Sequence, residues 1–226
     1  MNLVHKMALT LFTAATWMSS NLSAAAQTCV PPPGFVDTPA PIVAAVKELV
    51  SHAEQLNIDR PLPVVLNSLD KPLQDIIHKT NSLPGVSGSY MLTKGEFGAP
   101  GSRRLNCLSD GSTLVEQVLE SKRNTSTFRF RYVVWNYTTE KARPIEYGVG
   151  DFYYSDIGGG RTHVTWTYSF KLNRYRFPGY LGSLGDFVFR VGFLNHEYAD
   201  LMRGVLDGIK SDAEQLANGS VPDSRK

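Results

Sequence analysis

The sequence predicts an α+β protein, in which a meander of antiparallel strands is followed by one long C-terminal helix. Two observations support this prediction. Between residues 89 and 172, short segments alternate apolar and polar residues and are separated by turn signals, which is typical of half-buried strands. Between residues 185 and 217, apolar residues recur at helical spacing with charged residues opposite them.

Residues 1–26 have the pattern of a secretory signal peptide. Lys6 precedes an apolar stretch at residues 7–18, and the alanines at 24–26 offer a small-residue cleavage site. The apolar stretch is short for a transmembrane span, although an uncleaved anchor is the alternative. We therefore expect an exported chain, periplasmic or secreted, that begins near Gln27 and is not stably inserted in a membrane.

The N-terminal third predicts helices and one weak strand. A proline-rich leader covers residues 30–41, and apolar residues at helical spacing predict an extra helix over 41–56. Residues 59–66 resemble a short first strand, which Pro61 and Pro63 weaken. Residues 69–80 predict one helix or two short ones. This segment supplies little of the strand pattern.

The strands of the meander follow in order. They are predicted at residues 89–93, 103–108, 112–121, 127–137, 145–155 and 163–172. Asp110-Gly111 predicts a two-residue hairpin turn. The glycine run at 158–160 precedes a strand rather than a helix and lacks a GxxxxGK[ST] motif, so it predicts a turn and not a phosphate loop.

The C-terminal helix is the longest predicted element. Its apolar stripe consists of Phe187, Val191, Leu194, Tyr198, Leu201, Met202, Val205, Ile209 and Leu216. A helix with one such stripe packs that face on a core. The polar tail at 218–226 is expected to fray.

Two cysteines, Cys29 and Cys107, can form one disulfide in an exported chain. Closing so long a loop is worth roughly 4 kcal/mol in the chain-entropy description. Two free thiols are the alternative. No histidine or asparagine is placed to activate either cysteine as a nucleophile.

Composition excludes several partners. The chain has 23 basic and 21 acidic residues, so no concentrated basic face points to nucleic acid. Its histidines are scattered, and no His or carboxylate motif has metal-ligand spacing. We predict no metal, no cofactor and no nucleic-acid partner.

Two strands present an aromatic face. Phe128, Phe130 and Tyr132 alternate on one strand, and Trp166, Tyr168 and Phe170 alternate on another. Such a face can fill a core. It can also form the wall of a cavity that takes an apolar or amphipathic ligand.

Two stretches carry a family resemblance. GSRRLNCLSDGSTLVEQVLES, at residues 101–121, resembles the G-x-x-R-x-L-x-x-x-D-G-x-x-x-x-E-x-L signature of START-like proteins of the SRPBCC superfamily. GGGRTHVTWTYSF, at residues 158–170, resembles their later G-G-T-x-V-x-W-x-x-x-F strand. The resemblance covers roughly residues 58–216, and the family includes polyketide cyclase/dehydrase and lipid-transport members.

The resemblance implies a helix-grip fold, with a curved sheet wrapped around the last helix and an apolar cavity between them. It assigns residues 58–217 to the START-like domain and 27–57 to a leader with an extra helix. The predicted ligand-binding residues are Arg104, Glu116, Phe128, Phe130, Tyr132, Trp166, Tyr168, Phe170, Tyr198 and Met202.

Arg104 and Glu116 match the Arg and Glu of the signature. A two-residue turn at Asp110-Gly111 pairs Leu105 with Glu116 and places Arg103, rather than Arg104, on the face of Glu116. A longer turn would instead place Arg104, rather than Arg103, on the face of Glu116. Glu116 is then a polar anchor in the cavity, a candidate catalytic acid/base, or one half of a structural ion pair.

Three functions are compatible with these features. The favoured one is an exported binding or carrier protein for a hydrophobic small molecule or lipid. The second is a cyclase/dehydratase-like enzyme, in which Glu116 and tyrosines such as Tyr132 or Tyr168 steer a polyketone-like substrate. The third is a structural or interaction module whose own side chains fill the cavity. The sequence specifies neither the ligand nor the oligomeric state.

Overall fold

The computed structural model describes residues 29–216, and its centre is a curved, seven-stranded antiparallel sheet. The strands are β1 (Val50–Ile58), β2 (Val86–Met91), β3 (Arg103–Leu108), β4 (Thr113–Arg123), β5 (Thr127–Trp135), β6 (Ile145–Asp156) and β7 (Thr162–Leu172). Their order across the sheet is β1-β7-β6-β5-β4-β3-β2. Strands β2 to β7 are therefore a meander, and β1 is added at the free edge of β7.

Strand β7 shows why the strands of the meander could be predicted from the sequence. Its residues alternate strictly between buried and half-buried from Thr162 to Leu172, as the period of two predicted. Strand β3 has the predicted bounds, and the ends of β4 to β7 lie within two residues of the predicted ones. The predicted α+β class, with a curved sheet and a long C-terminal helix, is confirmed.

The C-terminal helix consists of α2 (Ser183–Phe189), a π-helical stretch (Arg190–Tyr198) and α3 (Ala199–Leu216). Helix α3 packs against β1 and against α1 (Leu62–Ser68). Its buried residues include Met202, Val205 and Ile209 of the predicted stripe. Phe187 and Val191 at the start of the stripe and Leu216 at its end are exposed, so the stripe faces the core only in its middle part, from Leu194 to Ile209.

A second apolar layer covers the opposite face of the sheet. The leader, which in the structure is residues 29–49, crosses this face. It packs Phe35, Val43 and Leu49 against a buried cluster that includes Trp135 and Tyr147. The indole Nε1 of Trp135 donates to Thr38 Oγ1 at 3.0 Å, and the Ala44 amide donates to Tyr147 Oη at 2.8 Å. The leader is therefore part of the folded structure.

The predicted disulfide is confirmed. Cys29 is bonded to Cys107, and their Cα atoms lie 5.6 Å apart. The bond ties the first described residue of the leader to β3. It joins two segments 78 residues apart in sequence.

The predicted helix over residues 41–56 is wrong. A short 3-10 turn (Val46–Glu48) is followed by β1, whose Val50 lies opposite Phe170 and whose Ile58 lies opposite Thr162. The free edge of β7 offers backbone hydrogen bonds over nine residues, and this pairing overrides the helical spacing of the apolar side chains. The sheet thus begins before residue 58, where the resemblance had placed the start of the domain.

Two further predictions in this region are wrong. Residues 59–66 do not form a strand but contain the start of α1, because prolines at the first turn of a helix lack only amide hydrogens that have no partner there. Residues 69–80 contain one 3-10 turn (Leu73–Asp75) instead of a helix. The predicted signal peptide and polar tail lie outside the described residues.

Candidate ligand-binding site

A large cavity lies between the concave face of the sheet and the C-terminal helix. Its volume is about 1010 Å³. Strands β3 to β7 form one wall, and the helix contributes Phe193, Tyr198, Leu201, Val205 and Ile209. Residues that follow α1, including Ile76 and Ile77, close another side. Most of the lining is apolar or aromatic.

Aromatic rings connect the strands with the helix across this cavity. Phe152 stacks on Trp166 with ring centroids 4.5 Å apart. Tyr168 and Phe170 approach Tyr198 of the helix, with centroids 4.6 Å and 4.9 Å away. Ring contacts of this kind stabilise the wall beyond the area they bury.

Two glycines of β6 let tyrosine rings lie against the sheet. A Cβ at Gly150 would be 2.1 Å from Tyr132 Cζ, and one at Gly148 would be 2.7 Å from Tyr168 Cε1. No side chain fits at such distances. The glycines therefore create the space that the two phenol rings occupy, and they keep the rings in the cavity wall.

A polar cluster lies in the same wall. The Nε of Arg104 donates to Glu116 Oε2 at 2.7 Å, and Asn106 Nδ2 donates to the same oxygen at 3.0 Å. The guanidinium carbon of Arg104 lies 3.7 Å from the centroid of the Phe97 ring, a cation–π contact. Glu116 and Asn106 are buried, and both face the cavity.

The turn between β3 and β4 brings this pair together. It contains three residues, Ser109 to Gly111, and Gly111 has a φ of 83°. Arg104 therefore lies directly opposite Glu116, and Leu105 lies opposite Val115. The predicted two-residue turn is wrong. The alternative, a longer turn, is the one present, and it places Arg104 on the face of Glu116.

Four phenols of the cavity wall stay protonated over the neutral and mildly alkaline range. Burial raises the pKa of Tyr132, Tyr137, Tyr168 and Tyr198 above the ordinary tyrosine value. Nearby Glu116 adds to the rise for the first three, because a negative charge disfavours a phenolate. These side chains are neutral groups that can donate hydrogen bonds.

Two buried polar atoms of the wall form no well-aligned hydrogen bond among the described residues, although each lies near a tyrosine hydroxyl, that of Tyr132 or that of Tyr168. They are the indole Nε1 of Trp166 and the hydroxyl of Tyr137. Leaving a donor unpaired in a protein interior costs about 1–3 kcal/mol. Both residues line the cavity, so a bound molecule with acceptor oxygens can supply the missing partners.

The predicted ligand-binding residues line the cavity, except for Met202. The lining includes Arg104, Glu116, Phe128, Phe130, Tyr132, Trp166, Tyr168, Phe170 and Tyr198. Met202 is fully buried in the core between helix and sheet. Helical spacing placed Met202 on the apolar side of the helix, but it did not show whether that side faces the cavity or packed side chains at this position.

Other lining residues were not predicted from the sequence. Phe152 and Tyr154 alternate on β6 and were within reach of the same argument that selected the rings of β5 and β7. Asn106, Phe97 and Tyr137 carried no comparable signal. Asn106 is one of several polar residues of β3, Phe97 lies outside the predicted strands, and Tyr137 is out of phase with the selected rings of the strand predicted over 127–137.

Comparisons with known proteins concern the fold. No protein-family model matches the sequence, and no curated protein matches it. The crystal structure of the ZhuI aromatase/cyclase from Streptomyces sp. R1128 superposes with a TM-score of 0.52 at 15% identity, covering 76% of this chain and 99% of that one. The crystal structure of Ara h 8.0201 gives 0.50 at 11% identity, covering 74% and 99%. The chain shares the helix-grip fold of these two structures, which confirms the fold that the SRPBCC resemblance implied.

In this fold the helix packs against β1 at one edge of the sheet, and the cavity lies between the helix and strands β3 to β7. At these identities the likeness concerns architecture and leaves the activity open. None of the helices in residues 29–216 is long and apolar enough to cross a membrane.

Proposed function

We propose that the chain is an exported binding or carrier protein for a hydrophobic small molecule or lipid. The observation that carries this proposal is the cavity of about 1010 Å³ with its mostly apolar wall. Ligand pockets commonly measure roughly 300–1,000 Å³ and are lined by apolar and aromatic side chains with few polar groups. The cavity is large enough for a lipid or a polycyclic molecule.

The polar groups indicate what kind of ligand fits. The charge of Arg104 is paired with Glu116, so the pair adds no net charge to the wall. The indole N–H of Trp166 and the hydroxyl of Tyr137 are donors without a well-aligned acceptor, and the phenols of Tyr132 and Tyr168 are neutral. A neutral, mainly apolar molecule with carbonyl or hydroxyl oxygens suits this wall better than an anion.

Export is part of the proposal. A disulfide between Cys29 and Cys107 persists in oxidising compartments and is rare in the cytosol. The signal-peptide pattern at residues 1–26 points the same way. N-terminal sequencing of the protein from periplasmic and secreted fractions tests this part, with a mature start near Gln27 as the expected result.

The test of binding is native mass spectrometry of the protein from its own compartment, followed by organic extraction of the bound material. We expect one apolar species at near-stoichiometric occupancy. A clean apo mass that does not shift when lipids or aromatic polyketides are added would overturn the proposal. The helix-grip domain would then be a structural or interaction module.

A matched pair of variants locates the ligand. Leu114 and Leu119 are both half-buried on β4, but Leu114 lines the cavity and Leu119 packs on the opposite face beneath the leader. Leu114→Trp should lower the occupancy, whereas Leu119→Trp should leave it unchanged. Thermal unfolding of both variants separates lost binding from lost folding.

A second candidate function is a cyclase/dehydratase-like enzyme. The observation in its favour is that the Glu116 carboxylate and neutral phenols share one cavity wall. The extracted ligand, or a polyketone probe, is incubated with the protein and with Glu116→Gln. Conversion that Glu116→Gln abolishes supports the enzyme, and binding without conversion supports the carrier.

A further inference from the structure

The segment between β7 and the π-helical stretch exposes a large apolar surface. We call this surface the apolar patch. It consists of Tyr175, Phe177, Tyr180, Leu181, Leu184, Phe187, Val188 and Val191, all of them exposed. Tyr175 is 92% exposed and Phe187 is 62% exposed. Soluble monomers rarely expose so many neighbouring apolar side chains without a partner.

Part of the patch is one continuous face of a helix. Phe187 and Val188 lie three and four residues after Leu184, and Val191 lies four and three residues after them, which places all four on the same side. Gly185 and Phe189, on the other side, are buried. A surface helix normally turns its polar side outward, and here the outward side is apolar.

Positive charge accompanies the patch. Arg176 and Arg190 are exposed and form no ion pair among residues 29–216. Asp186, the carboxylate of this segment, is already bound by Arg174 through contacts of 2.8 and 3.1 Å. The patch therefore combines apolar and aromatic side chains with two arginines whose charge is not neutralised nearby.

We propose that the apolar patch docks the protein onto an anionic lipid bilayer surface. Phenylalanine and leucine side chains enter the boundary between headgroups and acyl chains, tyrosines suit the interface, and arginines pair with anionic headgroups. A second copy of the chain fits less well. Two facing patches would both carry positive charge, whereas an anionic bilayer complements it.

The patch also lies close to the cavity. Phe189, on the buried side of α2, packs against Phe193 with ring centroids 5.1 Å apart, and Phe193 lines the cavity. A docked protein would thus hold the cavity near the bilayer. If the proposed function is correct, docking gives the cavity access to ligands dissolved in the membrane. The docking surface itself does not depend on that function.

Vesicle flotation tests the proposal, using protein expressed from the complete sequence. The probes are vesicles of phosphatidylcholine with phosphatidylglycerol and vesicles of phosphatidylcholine alone. The variant Leu184→Ser/Phe187→Ser removes apolar groups from the patch. The control Ile42→Ser/Val46→Ser removes comparable groups from the leader, where these residues are 95% and 77% exposed. All proteins share the same N-terminus, so a difference between them is due to the changed surface.

We expect binding to the anionic vesicles, with a roughly tenfold or larger loss in the patch variant and no loss in the control. Arg176→Gln/Arg190→Gln should weaken binding to the anionic vesicles and reduce its dependence on salt. Equal binding by the patch variant and the control would overturn the proposal, and so would absence of wild-type binding.

Analytical ultracentrifugation tests the alternative that a second copy of the chain occupies the apolar patch. A wild-type dimer that the patch variant converts to a monomer would show that the patch joins two copies, and would also overturn membrane docking. Native mass spectrometry of the patch variant, incubated in solution without vesicles with the material extracted from the wild type, should show unchanged ligand binding. Failure of docking and failure of the proposed ligand binding are therefore separate results.

Discussion

Arg104 and Glu116 form a buried ion pair in the wall of the cavity. Both are largely buried, and each satisfies the charge of the other within the cavity wall. Removing one partner leaves a buried charge without compensation, whereas replacing both by apolar residues removes both desolvation costs. The balance between the desolvation cost of the two charges and their mutual attraction determines how a substitution at this pair changes the free energy of unfolding.

We predict that Glu116→Ala lowers the free energy of unfolding by about 3 kcal/mol. The double variant Arg104→Met/Glu116→Leu should recover most of that loss. Urea denaturation of the two variants and the wild type measures this. A double variant as unstable as Glu116→Ala would mean that the pair contributes attraction beyond its own desolvation.

Gly150 is a second residue whose role follows from distances. Gly150→Ala places a Cβ where the Tyr132 ring lies, so the ring must move into the cavity. We expect a loss of about 1–3 kcal/mol in unfolding free energy and a reduced ligand occupancy. The control is Gly204→Ala in α3, where no atom lies within 4 Å of the new Cβ. That change should be neutral or stabilising by up to about 1 kcal/mol.

The leader behaves as a structural element although it contains little regular structure. Its apolar side chains cover the outer face of the sheet, and the disulfide fixes its first described residue to β3. Arg103 also pairs with Asp37 of the leader at 2.9 Å. The leader therefore converts an outer sheet face into a second buried layer.

Removing the disulfide tests this element. Cys29→Ser/Cys107→Ser should lower the free energy of unfolding by roughly 4 kcal/mol, since the bond closes a loop of 78 residues. Wild-type protein in reducing agent should behave like the double variant. A loss below about 1 kcal/mol would show that packing alone holds the leader on the sheet.

Buried tyrosines give the complete fold a characteristic response to alkaline pH. Burial raises the pKa of Tyr132, Tyr137, Tyr154, Tyr168 and Tyr198 in the folded state. In the unfolded chain these phenols ionise at about pH 10. Above that pH the unfolded state binds fewer protons than the folded state, so the free energy of unfolding falls as pH rises.

We predict full stability contributions from these phenols below about pH 10 and a progressive loss above it. Urea midpoints measured from neutral to alkaline pH, together with phenolate absorbance, check this. Tyr154→Phe removes one of the groups and should make the loss less steep. Reversible ionisation of all ten tyrosines in a protein that stays folded would contradict the prediction.

Much of the architecture was determined by local sequence. The strands of the meander have alternating side chains and turn residues of their own, so β3 to β7 could be placed from periodicity alone. The aromatic face of β5 and β7 followed from the same alternation. The disulfide could be predicted from the presence of two cysteines and the signal-peptide pattern.

Other features were decided only by tertiary structure. The segment Val50–Ile58 is a strand because the edge of β7 is there to pair with it, and Arg104 meets Glu116 because a three-residue turn sets the register. The spacing of Phe187 and Val191 predicted burial, yet no layer of the described chain covers them. Periodicity reports which residues share a side of an element. What lies against that side depends on distant segments, and this is why the cavity and the apolar patch emerged only from the assembled fold.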